Sequence, residues 1–213
     1  AGGDANNASG TPSISEDGRY VAFSSNASDL VAGDSNGASD IFVRDLVSGS
    51  TTRVSVDMAG GDANSGSFAP SISADGRYVA FVSTASDLVA GDTNGLPDIF
   101  VRDLMTGTTT RVSLNTVGGN ANAASDSPSI SADGHYVAFT SDASDLVAGD
   151  TNGMSDVFVR DLVSGTTTRI SVDTTGGDAI SHSFSPSISA DGRYVAFVSG
   201  ASDLVSGDTN GLP

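Results

Sequence analysis

Apolar residues in this chain come in short runs broken by glycine, aspartate and asparagine. One stretch shows the whole pattern. Pro70-Ser-Ile-Ser is followed by an Asp75-Gly76 pair and then by Tyr78-Val-Ala-Phe-Val-Ser. A polar stretch runs through Asp92-Thr-Asn-Gly. Two more runs follow, Asp98-Ile-Phe-Val-Arg-Asp-Leu and Thr109-Thr-Arg-Val-Ser-Leu, divided by Thr106-Gly107. Each run is rich in β-branched and aromatic residues and bounded by turn formers, which predicts a strand. Asp-Gly between two such runs predicts a hairpin. Nowhere do apolar residues recur at helical spacing over three turns, so no helix of consequence is expected. In the third run Ile99 and Val101 share one face and Phe100 lies on the other. A sheet that is apolar on both faces must be covered on both. That suits four-stranded sheets stacked face to face around an axis, as in a propeller, and suits a single open sheet poorly.

The pattern repeats without insertion or deletion. Asp-Gly-Arg/His-Tyr begins at Asp17, Asp75, Asp133 and Asp191, and Gly-Asp-Ser/Thr-Asn-Gly begins at Gly33, Gly91, Gly149 and Gly207, each at a step of 58 residues. So strict a period marks a repeat architecture. The chain divides into units 1–58, 59–116, 117–174 and 175–213, the last ending before its third and fourth strands. The expected fold is all-β: tandem four-stranded blades, propeller-like, with the fourth blade incomplete. Its open edge would be a template for another chain. Self-association through the fourth blade is therefore expected, and a filament if the head-to-tail contact does not close.

The segment Ser-Pro-Ser-Ile-Ser-Ala-Asp-Gly-Arg-Tyr-Val-Ala-Phe (Ser185 to Phe197), with Asp-Val-Phe-Val-Arg-Asp-Leu (Asp156 to Leu162), resembles the WD40-like, TolB-type propeller repeat known as PD40. In that family one unit forms one four-stranded blade. The chain departs from the usual repeat where Glu16 and Ala74 replace a proline before Asp-Gly, and where Ile14 stands in place of a common tryptophan. The resemblance implies a fold and no single activity, because members serve as scaffolds, binding modules and domains beside enzymes.

Composition narrows the function. Cysteine is absent, which removes disulfides, thiolate metal sites and thiol nucleophiles together. The net charge is −17 and the pI about 4.1, which argues against nucleic acid and favours cations and an extracellular or cell-surface setting. No apolar run is long enough to cross a membrane as a helix. Ala1-Gly-Gly-Asp carries neither a basic nor an apolar leader segment, so no signal peptide is expected within this chain.

The strongest candidate chemistry is the loop Asp-x-Asn-Gly-x-x-Asp. It occurs as Asp34/Asn36/Asp40, Asp92/Asn94/Asp98 and Asp150/Asn152/Asp156, and incompletely as Asp208/Asn210. Oxygen ligands at positions one, three and seven around a glycine follow the logic of a calcium loop. Ala38, Leu96 and Met154 would add backbone carbonyls, and Asp29, Asp87, Asp145 and Asp203 would be further ligands. The competing reading is a turn closed by a side-chain hydrogen bond. Arg53, Arg111 and Arg169 recur on the fourth strand, where ion pairing with aspartate is the simpler reading than an anion-binding ring. Tyr20, Tyr78, Tyr136 and Tyr194 are expected half-buried. His135 and His182 do not recur, and no nucleophile elbow, dinucleotide-binding glycine motif or zinc-protease motif is present. Asn7-Ala-Ser and Asn26-Ala-Ser fit the acceptor pattern for N-linked glycans. The leading expectation is a non-enzymatic, calcium-stabilised propeller protein with a structural, surface or self-assembly role. The alternative is a propeller domain binding carbohydrate or peptide within a larger secreted protein. An aspartate-dependent hydrolase ranks third.

Overall fold

A computed structural model describes residues 4–209, and among them every regular element is a strand. Blade 1 comprises β1 (Ser9–Ile14), β2 (Tyr20–Ser25), β3 (Asp40–Asp45) and β4 (Thr51–Arg53). Blade 2 comprises β5 (Ser67–Ile72), β6 (Tyr78–Ser83), β7 (Asp98–Asp103) and β8 (Thr108–Arg111). Blade 3 comprises β9 (Ser125–Ile130), β10 (Tyr136–Ser141), β11 (Asp156–Asp161) and β12 (Thr166–Arg169). Among the described residues blade 4 has β13 (Ser183–Ile188) and β14 (Val195–Ser199). Each sheet is an antiparallel meander in chain order.

The expected Asp-Gly hairpins form. Gly76 has a φ of 72° and donates its N–H to the Ser73 carbonyl at 3.0 Å, while Asp75 Oδ1 accepts from Ser73 Oγ and from the Arg77 N–H. The sheet of blade 2 is buried on both faces, as the alternation requires. Ala22, Ile41, Val43 and Val54 of blade 1 meet Ile72, Val79, Phe81 and Phe100 of blade 2 in one core cluster. Ala80, Ile99, Val101 and Val112 of blade 2 meet Ile130, Val137, Phe139 and Phe158 of blade 3 in the next. Ile99 and Val101 thus pack forward and Phe100 packs backward. A blade without neighbours on both sides leaves one of these faces wet.

The first strands of successive blades lie against one another, and each carries a bulge. At the bulge a non-glycine residue has positive φ: Thr11 (44°), Ala69 (48°), Ser127 (54°) and Ser185 (54°). The same hydrogen bonds join each blade to the next. Ile72 donates its N–H to Ser13 Oγ, Ile130 to Ser71 Oγ and Ile188 to Ser129 Oγ. A backbone chain runs alongside, from Glu16 N–H to Ala74 C=O, Ala74 to Ala132 and Ala132 to Ala190. Each tyrosine ring covers the Asp-Gly turn of the following blade, which leaves Tyr20, Tyr78 and Tyr136 half-buried as expected. Tyr194 has no following turn in the described structure and is exposed.

Candidate functional site

The Asp-x-Asn-Gly loop between the second and third strands of a blade closes on an arginine from the fourth. Asp40, Asp98 and Asp156 open β3, β7 and β11, and all three are fully buried. Arg53 Nη1 lies 3.5 Å from Asp34 Oδ1 and 3.9 Å from Asp40 Oδ2. Arg111 Nη1 lies 3.2 Å from Asp92 and 3.6 Å from Asp98, and Arg169 Nη1 lies 3.0 Å from Asp150 and 3.5 Å from Asp156. The fourth-strand arginines therefore pair with aspartates, and do so inside the protein. Buried, such a pair is retained only if its remaining hydrogen-bonding groups are also met. Ser55, Ser113 and Ser171 meet them, each donating Oγ–H to the buried aspartate at 2.5 Å and accepting the N–H of Ile41, Ile99 or Val157.

A third partner comes from beyond the fourth strand. Asp62 and Asp178 bond to Arg53 and Arg169, and Asn120 Oδ1 accepts from Arg111 at 2.5 Å. Arg111 Nε is left buried without a partner. Position 62 belongs to the second sequence unit but completes the first blade, because an isolated bridge between Val56 and Asp62 folds the chain back across the unit boundary. Sequence reasoning missed this residue set and the serines, although both recur at the 58-residue step.

The loop asparagine acts as a turn residue and a strut. Asn36 Oδ1 accepts the Ala38 N–H at 2.9 Å, while its Nδ2 donates to Asp40 Oδ2 at 3.0 Å and to the Ala63 carbonyl at 3.2 Å. Asn94 and Asn152 repeat these bonds with Leu96, Asp98 and Ala121 and with Met154, Asp156 and Ala179. The structure thus brings the predicted residues of each complete loop together, but around a guanidinium. Among the described residues no three histidine or acidic side chains form a group able to hold a metal ion. Asp29, Asp87 and Asp145 take no part in this arrangement. They accept the N–H groups of Asn6, Asn64 and Asn122, and Asp203 accepts that of Ile180, which fastens the segment leading into each blade. Asp208 is half-buried, and Asn210 lies outside the described residues. Asn7 and Asn26, the two glycan acceptor candidates, are exposed.

Electrostatics follow from burial. Burial first, then the neighbouring Asp40, pushes Asp34 above the usual carboxylate value. Burial and Asp98 do the same to Asp92, and burial and Asp156 to Asp150. Burial raises Asp98 despite the bonds from Ser113 and Asn94. Asp62 and Asp178 are held low, first by the hydroxyls of Ser35 and Thr151 and then by their arginines. A second pair ties the start of the second strand to the end of the third. Arg19 grips Asp45 through two bonds of 3.1 and 2.8 Å, and Arg77 grips Asp103 through bonds of 3.0 and 2.7 Å. In blade 3 His135 stands in the arginine position and lies 3.1 Å from Asp133.

Known structures share this arrangement of strands. TolB from Acinetobacter baumannii matches over 90% of the chain with a TM-score of 0.54 and 21% identity. The chain has the TolB-type propeller fold. Tricorn protease matches this propeller over 91% of its length (TM-score 0.55, 15% identity), and oligogalacturonate lyase from Vibrio parahaemolyticus over 90% (TM-score 0.51, 16% identity). The propeller described here spans 38% of the TolB chain, 19% of the tricorn chain and 46% of the lyase chain. No family model matches it, and no curated protein does.

Proposed function

We propose that this chain is a non-enzymatic propeller module with a structural or binding role in an extracellular or cell-surface setting. The observation that supports this most is where the reactive side chains go. In each complete blade the buried aspartates and the fourth-strand arginine are engaged in the same closure, so no blade sets aside a constellation of its own. The two histidines contact different places, His135 at Asp133 and His182 at Ser155. The net charge of −17 supports the setting. A panel of peptide, ester and glycoside substrates tests the reading. No turnover is expected, and turnover abolished by one aspartate substitution overturns it.

Calcium at the loops belongs to this proposal. Three aspartates against one arginine leave the closures of blades 1 and 3 with an excess of negative charge, which a divalent cation would offset. The ligands would be the carboxylates of Asp34 and Asp40 with the Ala38 carbonyl, and their counterparts in blades 2 and 3. Binding requires the guanidinium to withdraw from between the two carboxylates. Thermal melts with millimolar calcium and with chelator decide it. A higher melting temperature in calcium is expected from binding to the folded state alone. Superimposable melts would mean that arginine closes the loops unaided.

A further inference from the structure

The chain has 9 basic and 26 acidic residues, yet two half-buried arginines, Arg102 of β7 and Arg160 of β11, form no ion pair among the described residues. The aspartates next to them in sequence, Asp103 and Asp161, belong to the opposite face of the strand. Asp103 is gripped by Arg77, and Asp161 accepts the N–H groups of Val163 and Ser164. Each guanidinium makes one hydrogen bond, Arg102 Nη1 to Thr109 Oγ1 and Arg160 Nη1 to Thr167 Oγ1, both at 2.9 Å. The Nε–Nη2 edge of each fork is left without a protein acceptor among the described residues. Burial pushes both arginines below their usual value, as it does for a charge drawn out of water without a counter-charge. Arg44 makes the same bond to Thr51 but is exposed, and forms no part of the site. Arg102 and Thr109 open on a cleft of about 450 Å³, walled by Met58 and Ala59 of the turn after β4 and by Leu88 and Val89 of the loop after β6. Met58 is 65% exposed. Its N–H bonds to the Asp87 carbonyl at 3.1 Å and fastens the turn to the loop. In blade 3 the Thr116 N–H bonds to the Asp145 carbonyl at 2.9 Å, so the wall repeats. Asp57 also borders the cleft, but its Oδ1 accepts the N–H groups of Ala59 and Gly61 within its own turn. Asn115 holds the equivalent turn of blade 3 in the same way and carries no charge.

We propose that Arg102 and Arg160 each bind the carboxylate of a small aliphatic acid, whose hydrocarbon chain lies against the apolar wall beside them. The proposal deepens the reading of the chain as a binding module and rests on it. A guanidinium edge offers a carboxylate two parallel N–H groups, and such charge-assisted pairs are stronger than neutral hydrogen bonds. The cleft has the size of a small-molecule site, with apolar walls and a few polar groups at one end. An uncharged ligand of the same shape gains the wall but not the ion pair. A bare inorganic anion gains the ion pair but not the wall. Asn115 in place of Asp57 makes the blade 3 site the less negative of the two, so an anion binds there more tightly.

The test is an NMR titration of the full chain with sodium butyrate at fixed ionic strength, read at the backbone amides of Thr109 and Thr167. Saturable shifts at both are expected at millimolar butyrate, with the tighter site at Thr167. Butyramide, which has the same shape without the charge, should bind about tenfold more weakly. Acetate should bind severalfold more weakly, because it lacks two methylenes against the wall. Arg160→Gln should abolish the response at Thr167 and leave that at Thr109, and Arg102→Gln should do the reverse. The comparison of butyrate, butyramide and acetate uses the unaltered protein, so it decides the matter even where a variant fails to fold. Absence of saturable shifts, equal binding of butyramide, equal binding of acetate, a tighter site at Thr109, or a Thr167 response that survives in folded Arg160→Gln would each overturn the proposal. A failed titration leaves the non-enzymatic reading standing, because the substrate panel tests that separately.

Discussion

At the scale of single residues, glycine does two jobs in the Asp-Gly turn. Gly76 needs a positive φ, and a Cβ there would sit 2.2 Å from the Tyr20 ring. Gly134 meets Tyr78 and Gly192 meets Tyr136 at the same distance, whereas Gly18, with the same φ, has nothing within 4 Å. One sequence motif therefore carries two different costs. Gly18→Ala should lose about 1 kcal/mol from the backbone conformation alone. Gly76→Ala adds the clash with a packed ring and should lose about 3 kcal/mol or more. Urea denaturation of the two variants checks this, and equal losses would show that the tyrosine contact contributes nothing. The motif itself was legible in the sequence. The ring that lies on it was not, since Tyr20 and Gly76 belong to different units and meet only when blades stack.

At the scale of the element, a blade is a meander whose outer strand is short. β4 has three residues, and its last, Arg53, reaches back to the loop that precedes β3. That arginine supplies the positive charge the buried carboxylates require. Arg53→Ala should destabilise the chain by about 3–5 kcal/mol, because it leaves Asp34 and Asp40 buried without a counter-charge. Asp62→Asn copies what blade 2 already has at Asn120 and should cost far less than Arg53→Ala. Thermal and chemical denaturation of both variants give the ranking, and a small loss for Arg53→Ala would mean that the closure is water-filled or cation-bound. The aspartates and arginines were each visible from their spacing. Their meeting depends on a cross-strand register, Phe42 opposite Arg53, that spacing along one strand does not specify.

At the scale of the whole molecule, the carboxylates fall into two groups with opposite effects on acid stability. Asp34, Asp92, Asp98 and Asp150 are raised above 3.8 by burial, so the folded chain takes up their protons before the unfolded chain does. Acidification towards 3.8 therefore costs no stability through these groups and relieves some repulsion. Asp45 and Asp103 are held well below 3.8, chiefly by Arg19 and Arg77, and Asp62 and Asp178 are also lowered. Their contribution is present above 3.8 and is lost as the pH falls through their folded values. The denaturation midpoint should hold or rise slightly from about pH 7 to pH 5 and then fall steeply below about pH 4. A steady decline beginning at neutrality would contradict this balance.

The sequence alone determined the strands, the hairpins, the number of units and the need to stack them, because these depend on local alternation and on a strict period. It also brought the loop residues into view together, since Asp-x-Asn-Gly-x-x-Asp recurs in each complete unit. What stands between those carboxylates was decided by tertiary structure. Calcium and arginine satisfy the same negative charge, and a one-dimensional pattern does not say which residue's side chain reaches the gap. The third partner of each closure, Asp62, Asn120 or Asp178, was hidden for a related reason. A bridge folds the chain back over the boundary between units, so the blade that is built in space is not the unit counted along the sequence. The joints between blades are likewise tertiary: a serine hydroxyl, a backbone carbonyl and a tyrosine ring acquire partners only at the distance that packing of both faces imposes.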